Sequence, residues 1–328
     1  MQSESIESLE RATLSGDWGA AARLGMCYLT GNQVPADPVR GIALIDQAAR
    51  AGDREGAYLA ATIASTSFWR PQNWVAAFDH LVDAANRGHD AARSALRILA
   101  AGPDGDPADG SDWQQMRETI DLDTWLAPPE PELVRQAPRI QVIEKFLPPV
   151  ACEWLIDQVR EKLERATIYD RATGGTIEDG RRTNTQCDLD VEVGGVLTFI
   201  IRARISVITG RQDAAMEVPK VLHYSPGETF AEHFDYLNPG EPAFARELAT
   251  RGQRTDTFLI YLNDDFTGGE TYFPELDIAH SGATGDALLF SNVDSRGQPD
   301  EATRHAGLPP TSGEKWLFSQ WIREFPRN

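Results

Sequence analysis

Cysteine is scarce: three residues in 328 (Cys27, Cys152, Cys187), odd in number and without CxxC spacing. That excludes a disulfide framework and a structural zinc site, and leaves three reduced, mostly buried thiols. Long apolar runs are missing as well; none approaches the roughly 18–20 residues that cross a bilayer. The opening MQSESIESLERATLSGD has no basic-then-apolar leader pattern, so we expect a cytoplasmic protein with no membrane partner. Basic residues are outnumbered, 31 Lys and Arg against 50 Asp and Glu, for a net charge of −19. A surface of that sign repels phosphate backbones, and no basic patch offsets it, which argues against nucleic-acid partners. The remaining composition, 41% apolar and 25% charged, is that of a globular chain, and the length suggests two domains.

The first hundred residues repeat with a period of 36. Leu9, Ile45 and Leu81 correspond, as do Ala12, Ala48 and Ala84, then Gly16, Gly52 and Gly88. Within each unit the apolar residues recur at helical spacing, and the glycines stand where helices end, able to take the left-handed conformation. This pattern predicts an α-solenoid of helical hairpins over residues 4–100. The segments LGMCYLTGNQVPADPVRGIALIDQAARAGDREGAYLAA and WVAAFDHLVDAANRGHDAARSAL resemble Sel-one-like repeats, relatives of the tetratricopeptide repeat. The resemblance implies a module that docks a protein or peptide partner and carries no chemistry. His80 and His89, without metal-ligand companions, are read as surface or packing residues. Residues 101–136, with nine Asp or Glu between 101 and 132 and several Pro and Gly, are expected as an acidic linker, broken by a short helix near Trp113–Leu126.

From residue 137 to 328 short strand patterns alternate with turns: RIQVIEKFL, EVPKVLHYSP, TDTFLIYLND, GGETYFP, GDALLFSN and EKWLFSQWIREF, with one amphipathic helix, PPVACEWLIDQVREKLERA. Many short strands predict an antiparallel sandwich or barrel. His233 and Asp235 stand two apart, so in a strand they share a face. His305 lies 70 residues on and reaches the same point if the sheet folds back. Two imidazoles and a carboxylate that leave coordination positions open form the facial triad of non-haem Fe(II) oxygenases. The HxD spacing alone is also common on surface loops.

The surrounding motifs decide between these readings. YSPGETFAEHFD (224–235), RTDTFLIYLND (254–264), GGETYFP (268–274), GDALLF (285–290) and HAGLPPTSGEKW (305–316) resemble, in order and spacing, the prolyl 4-hydroxylase catalytic domain of the Fe(II)- and 2-oxoglutarate-dependent dioxygenases. The chain departs from the family pattern at Leu308, where a cysteine is frequent. The resemblance implies an α+β multidomain protein whose C-terminal domain is a double-stranded β-helix, or jelly roll, with flanking helices. It implies Fe(II) on His233, Asp235 and His305, the distal carboxylate of 2-oxoglutarate on Lys315, and O2 as co-substrate, with ascorbate as candidate reductant. Tyr224 and Tyr261 would line the same pocket, and Ser319, on the Lys315 face of its strand, could add a hydroxyl. The activity implied is hydroxylation of a prolyl residue in a peptide or protein, docked by the repeats, with release of succinate and CO2. Alternatives are the same chemistry on another residue type, a free amino acid or a small metabolite, or an inert repeat-based adaptor. Arg254 either anchors substrate or pairs with a sheet-edge carboxylate. Arg181 and Arg182, in the glycine-rich TGGTIEDGRRTNTQ, belong either to a lid over the substrate or to a solvated loop. His223, in a strand, and His280, expected in a loop, match no ligand position.

Overall fold

The computed structural model describes residues 4–107, 109–170 and 175–327. Contacts divide the chain into two units, one of residues 1–125 with 194–200, the other of residues 126–193 with 201–328.

The first unit is helical: α1 (Ile6–Leu14), α2 (Trp18–Thr30), α3 (Pro38–Ala51), α4 (Arg54–Ser65), α5 (Trp74–Asn86), α6 (Asp90–Ala101), α7 (Trp113–Thr119) and α8 (Leu122–Trp125). The 36-residue period reappears as capping chemistry. Asp17, Asp53 and His89 each accept, through a side-chain atom, the amide of the residue three further on, at Ala20, Gly56 and Ala92. Asp37 and Asn73 do the same for Arg40 and Ala76. Side-chain acceptors at these positions satisfy amides that the first helical turn leaves unpaired. Gly16, Gly52 and Gly88, with φ of 89°, 97° and 87°, end the intervening helices. Successive helices pack on one another, and α2 meets α3 backbone to backbone: a Cβ on Gly41 would stand 2.6 Å from the Gly25 carbonyl oxygen and 2.8 Å from the Leu29 nitrogen.

Within the expected linker, the short helix anticipated near Trp113–Leu126 is present as α7 and α8. Trp113, Met116 and Trp125 are buried, and the Trp125 indole donates to the Leu99 carbonyl at 2.9 Å. Large aromatic area outweighs the acidic, Pro- and Gly-rich composition around it. Residues 132–136 go to the sheet of the second unit.

That unit contains β1 (Glu132–Gln136), β2 (Arg139–Ile143), α9 (Pro149–Val159), β3 (Glu164–Arg165), β4 (Ile168–Asp170), β5 (Gly175–Ile177), β6 (Thr185–Asp188), most of α10 (Gly195–Thr209), β7 (Lys220–Tyr224), β8 (Phe230–His233) and α11 (Ala245–Arg251). Then follow β9 (Arg254–Tyr261), β10 (Thr267–Gly268), β11 (Thr271–Phe273), β12 (Ile278–His280), β13 (Ala287–Ser291), β14 (His305–Gly307), β15 (Pro310–Ser312) and β16 (Lys315–Arg323). An eight-stranded sheet runs β1-β2-β13-β9-β16-β7-β6-β3 and a four-stranded sheet β12-β11-β14-β8; β10 pairs with β15 and β4 with β5. Inward residues of both sheets share one core: Leu222, Tyr224, Leu259, Tyr261, Leu288, Phe290 and Leu317 from the larger, Phe273 from the smaller. The architecture is a helical N-terminal region and a sheet-rich C-terminal domain. His280 ends β12 and is not in a loop, because the segment 278–280 pairs with Thr271–Phe273.

Gly41→Ala tests the helix crossing. Alanine adds about 1 kcal/mol of helix propensity, but its methyl collides with backbone atoms that cannot step aside, which costs about 1–3 kcal/mol. Steric conflict wins, and a lower thermal midpoint by circular dichroism is expected.

Candidate metal centre

Two strands of the small sheet build the centre. In the antiparallel pairing of β14 with β8, His305 lies directly opposite His233. Asp235 follows β8 by two residues. The ligand atoms of His233, Asp235 and His305 all lie within 4.8 Å of one another. His233 Nε2 is 3.5 Å from Asp235 Oδ1, and His305 Nε2 is 3.6 Å from Asp235 Oδ2.

Hydrogen bonds fix both rings. His233 Nδ1 lies 2.9 Å from the Ala231 carbonyl and His305 Nδ1 3.0 Å from that of Thr303. A carbonyl only accepts, so each Nδ1 carries a proton and each Nε2 is the atom turned toward the cluster. His305 is almost fully buried, and desolvation, then the neighbouring His233, pushes its imidazole down to about 4. Burial alone would raise the Asp235 carboxyl, but His305, His233 and the Thr257 hydroxyl hold it well below the usual carboxylate range. Two imidazole Nε2 atoms and an ionised carboxylate suit a divalent metal such as Fe(II). The Phe230 ring stacks on His233 at 3.5 Å and 12°, and the Arg182 guanidinium covers the other side of Phe230 at 4.3 Å.

One cavity contains the triad together with Lys315, Ser319, Tyr224 and Arg182. Alternate residues of β16, Lys315, Leu317, Ser319 and Trp321, face into it. Lys315 is fully buried; its ammonium donates to the Gly269 carbonyl at 2.5 Å and lies 5.4 and 5.6 Å from the rings of Tyr224 and Tyr261. Burial pushes it down to about 7, with Glu270 opposing. No carboxylate lies in ion-pair contact with it among the described residues, so the arrangement suits an incoming anion. Tyr224, opposite Lys315 across β7 and β16, is pushed up to about 12 by burial and keeps its proton.

Other expected positions fall differently. The Tyr261 hydroxyl is engaged by Thr271 at 2.9 Å and donates to the His280 carbonyl at 3.1 Å, while its ring lies 5.6 Å from the Lys315 ammonium. Arg254 is no free anchor. It forms two bonds to the Glu217 carboxylate (2.8 and 3.0 Å), donates to the Asp235 carbonyl at 3.3 Å and stacks 3.6 Å over Trp321. Arg182 is buried and bonded to the neutral acceptors Asn184, Thr167 and Gln186, so it is not part of a solvated loop. Arg181 is held outward by Asp179, and Thr173 and Gly174 of the same segment lie outside the described residues. His223 packs at a tilt against Trp316 and meets Thr185, away from the triad, and His89 caps α6. The sequence reading passed over Phe230, Thr257 and Thr271, which there look like ordinary strand residues.

Residues 219–323 match the family model of the 2OG-Fe(II) oxygenase superfamily. Prolyl 4-hydroxylase 1 of Arabidopsis thaliana is 35% identical over 209 residues, which cover 60% of this chain and 72% of that protein. The chain belongs to the 2-oxoglutarate- and Fe(II)-dependent oxygenases of prolyl 4-hydroxylase type. The prolyl 4-hydroxylase subunit alpha-1 of Rattus norvegicus is 32% identical over 199 residues, or 61% of this chain; the match spans 37% of that longer relative. The 2-oxoglutarate complex of the viral collagen prolyl hydroxylase from Paramecium Bursaria Chlorella virus-1 is similar at 25% identity and TM-score 0.43, over 56% of this chain and 95% of that one. The family match includes all three triad residues and Lys315.

Lys315→Met separates binding from stability in this oxygenase. Losing one partner of a buried charge pair costs about 3–5 kcal/mol, so 2-oxoglutarate affinity is expected to fall two to three orders of magnitude. The ligand-free variant should unfold at higher temperature than the parent, since an uncompensated buried ammonium is gone. A folded-state pKa lowered from 10.5 to about 7 makes this difference fullest below pH 7 and smaller as pH rises toward 10.5. Thermal melts with and without 2-oxoglutarate, at pH 6 and pH 9, check both effects.

Proposed function

We propose that this chain is a dioxygenase that hydroxylates a prolyl residue in a peptide or protein, with 2-oxoglutarate and O2 as co-substrates and succinate and CO2 as by-products. The carrying observation is the convergence, in one cavity, of two oriented imidazoles, an ionised carboxylate and a buried ammonium without an ion-pair partner among the described residues. His233, Asp235 and His305 would hold Fe(II), which supplies the redox chemistry linking O2 to the substrate carbon. Lys315 pairs with the distal carboxylate of 2-oxoglutarate, and Ser319 adds a hydroxyl from the same face. Tyr224 remains a protonated donor on the wall beside them, and the apolar core behind excludes water. Ascorbate would restore iron oxidised without substrate, and the cytoplasm would supply the reductant. The relatives are prolyl 4-hydroxylases, which favours a prolyl target over another residue type, a free amino acid or a small metabolite. The ready triad and Lys315 speak against an inert adaptor.

The helical region reads as an α-solenoid of repeats that docks the protein substrate. The capping residues at 36-residue spacing support it, as do Val39 and Val75, 82% and 61% exposed at equivalent positions of α3 and α5. Such docking raises the effective concentration of the target residue.

His233→Ala, Asp235→Ala and His305→Ala should each abolish Fe(II)-dependent succinate formation and the gain of one oxygen atom by proline-containing peptides, followed by mass spectrometry. Near-parental turnover by any one of them would remove that residue from the triad. Val39→Asp combined with Val75→Asp should leave kcat/KM on short peptides unchanged and reduce it on an intact protein substrate. Equal values on both substrates in the two proteins would refute docking through this face.

A further inference from the structure

We infer that Thr257 and Asn292 form a two-step hydrogen-bond relay that orients the Asp235 carboxylate for metal binding, making both positioning residues. The inference rests on the triad reading above. All three side chains are buried: Asp235 is 4% exposed, Thr257 1% and Asn292 0%. Thr257 Oγ1 lies 2.7 Å from Asp235 Oδ2, and Asn292 Nδ2 lies 2.9 Å from Thr257 Oγ1.

Direction follows from chemistry. An ionised carboxylate only accepts, so the Thr257 hydroxyl must give it its single proton. With that proton committed, Thr257 can offer Asn292 only a lone pair, and Asn292 must donate. The amide orientation is thereby fixed, with Nδ2 toward Thr257. Its Oδ1 is buried without a hydrogen-bond partner. A buried carbonyl left unpaired is unfavourable and calls for a reason. Turning the amide round would aim an acceptor at Thr257 and draw the hydroxyl proton away from Asp235. The orphaned oxygen is thus the consequence of serving the carboxylate.

The relay also joins the two sheets. Thr257 lies on β9 and Asn292 follows β13, neighbouring strands of the larger sheet, and the Asn292 backbone N–H donates to the Thr255 carbonyl at 2.7 Å. Asp235 follows β8 of the smaller sheet, which also carries both histidines. Thr257 seizes Oδ2, the oxygen 3.6 Å from His305, and so sets the rotation that leaves Oδ1 facing His233 at 3.5 Å. Without it, the carboxylate would keep only the two imidazoles as side-chain neighbours of its oxygens. An orienting group of this kind is worth about 10–100-fold in metal affinity.

The test is a double-mutant cycle on Co(II) binding to the full chain, followed by the visible absorption of the metal, with apo-protein melts alongside. Thr257→Val should weaken Co(II) binding about 10–100-fold and shift the absorption band. Thr257→Ser, which keeps the hydroxyl, should restore both. Asn292→Ala should weaken binding in the parent but not further in the Thr257→Val background, because it acts only through that hydroxyl. Asn292→Leu, of similar volume, replaces Asn292→Ala if the truncation unfolds. Parental Co(II) affinity in Thr257→Val, or the same loss from the Asn292 variant in both backgrounds, overturns the relay. Failure of the triad reading looks different: the parent itself would bind no Co(II), or His305→Ala would bind it as tightly as the parent.

Discussion

The register of one short antiparallel pairing governs the site. Because side chains alternate across a strand, sliding β14 by one residue against β8 would turn His305 out of the centre and bring Ala306 in. Three other features pin that register. The Phe273 and Phe290 rings pack against His305 at 5.6 and 4.9 Å. The Thr229 hydroxyl donates to the Gly307 carbonyl at 2.8 Å. On the far side, β11 pairs Tyr272 with Ala306. The metal donors are thus held by the same core that holds the fold.

Much of this was legible in the sequence, for identifiable reasons. His233 and Asp235 show the period of two that any strand imposes, and Lys315, Leu317, Ser319 and Trp321 show it again on β16. The glycines at 16, 52 and 88 mark helix ends because their positive φ admits few other residues. His305 was different: nothing in its local spacing places it opposite His233, and only the resemblance over the surrounding motifs did so. Tyr261 and Arg254 were located in the right strand, but their partners could not be read. A tyrosine on an inward face looks the same whether its hydroxyl meets a ligand or Thr271, and an arginine at a strand start gives no sign of Glu217, 37 residues before it.

Other elements escaped for the opposite reason. Helix α10 is buried along most of its length, so its apolar run VLTFIIRARISVI carries no amphipathic stripe. It even contains two arginines, Arg202 and Arg204, both about 1% exposed. They are tolerated because acceptors meet them, Glu217 carbonyl and Gln320 for the first and the Phe146 carbonyl for the second. Asn292 and Thr257 read as unremarkable polar punctuation until their partners are seen.

The carbonyls that hold the two imidazoles have a consequence for proton traffic. Nδ1 of each ring is tied to the backbone carbonyl two residues earlier in the chain, and Nε2 is turned to the cluster. Burial in addition lowers the His305 imidazole to about 4. Sensitivity near neutrality falls on Lys315, whose burial brings it to about 7. Acidity is therefore felt at the Lys315 end of the pocket, where an added proton strengthens its attraction for an anion.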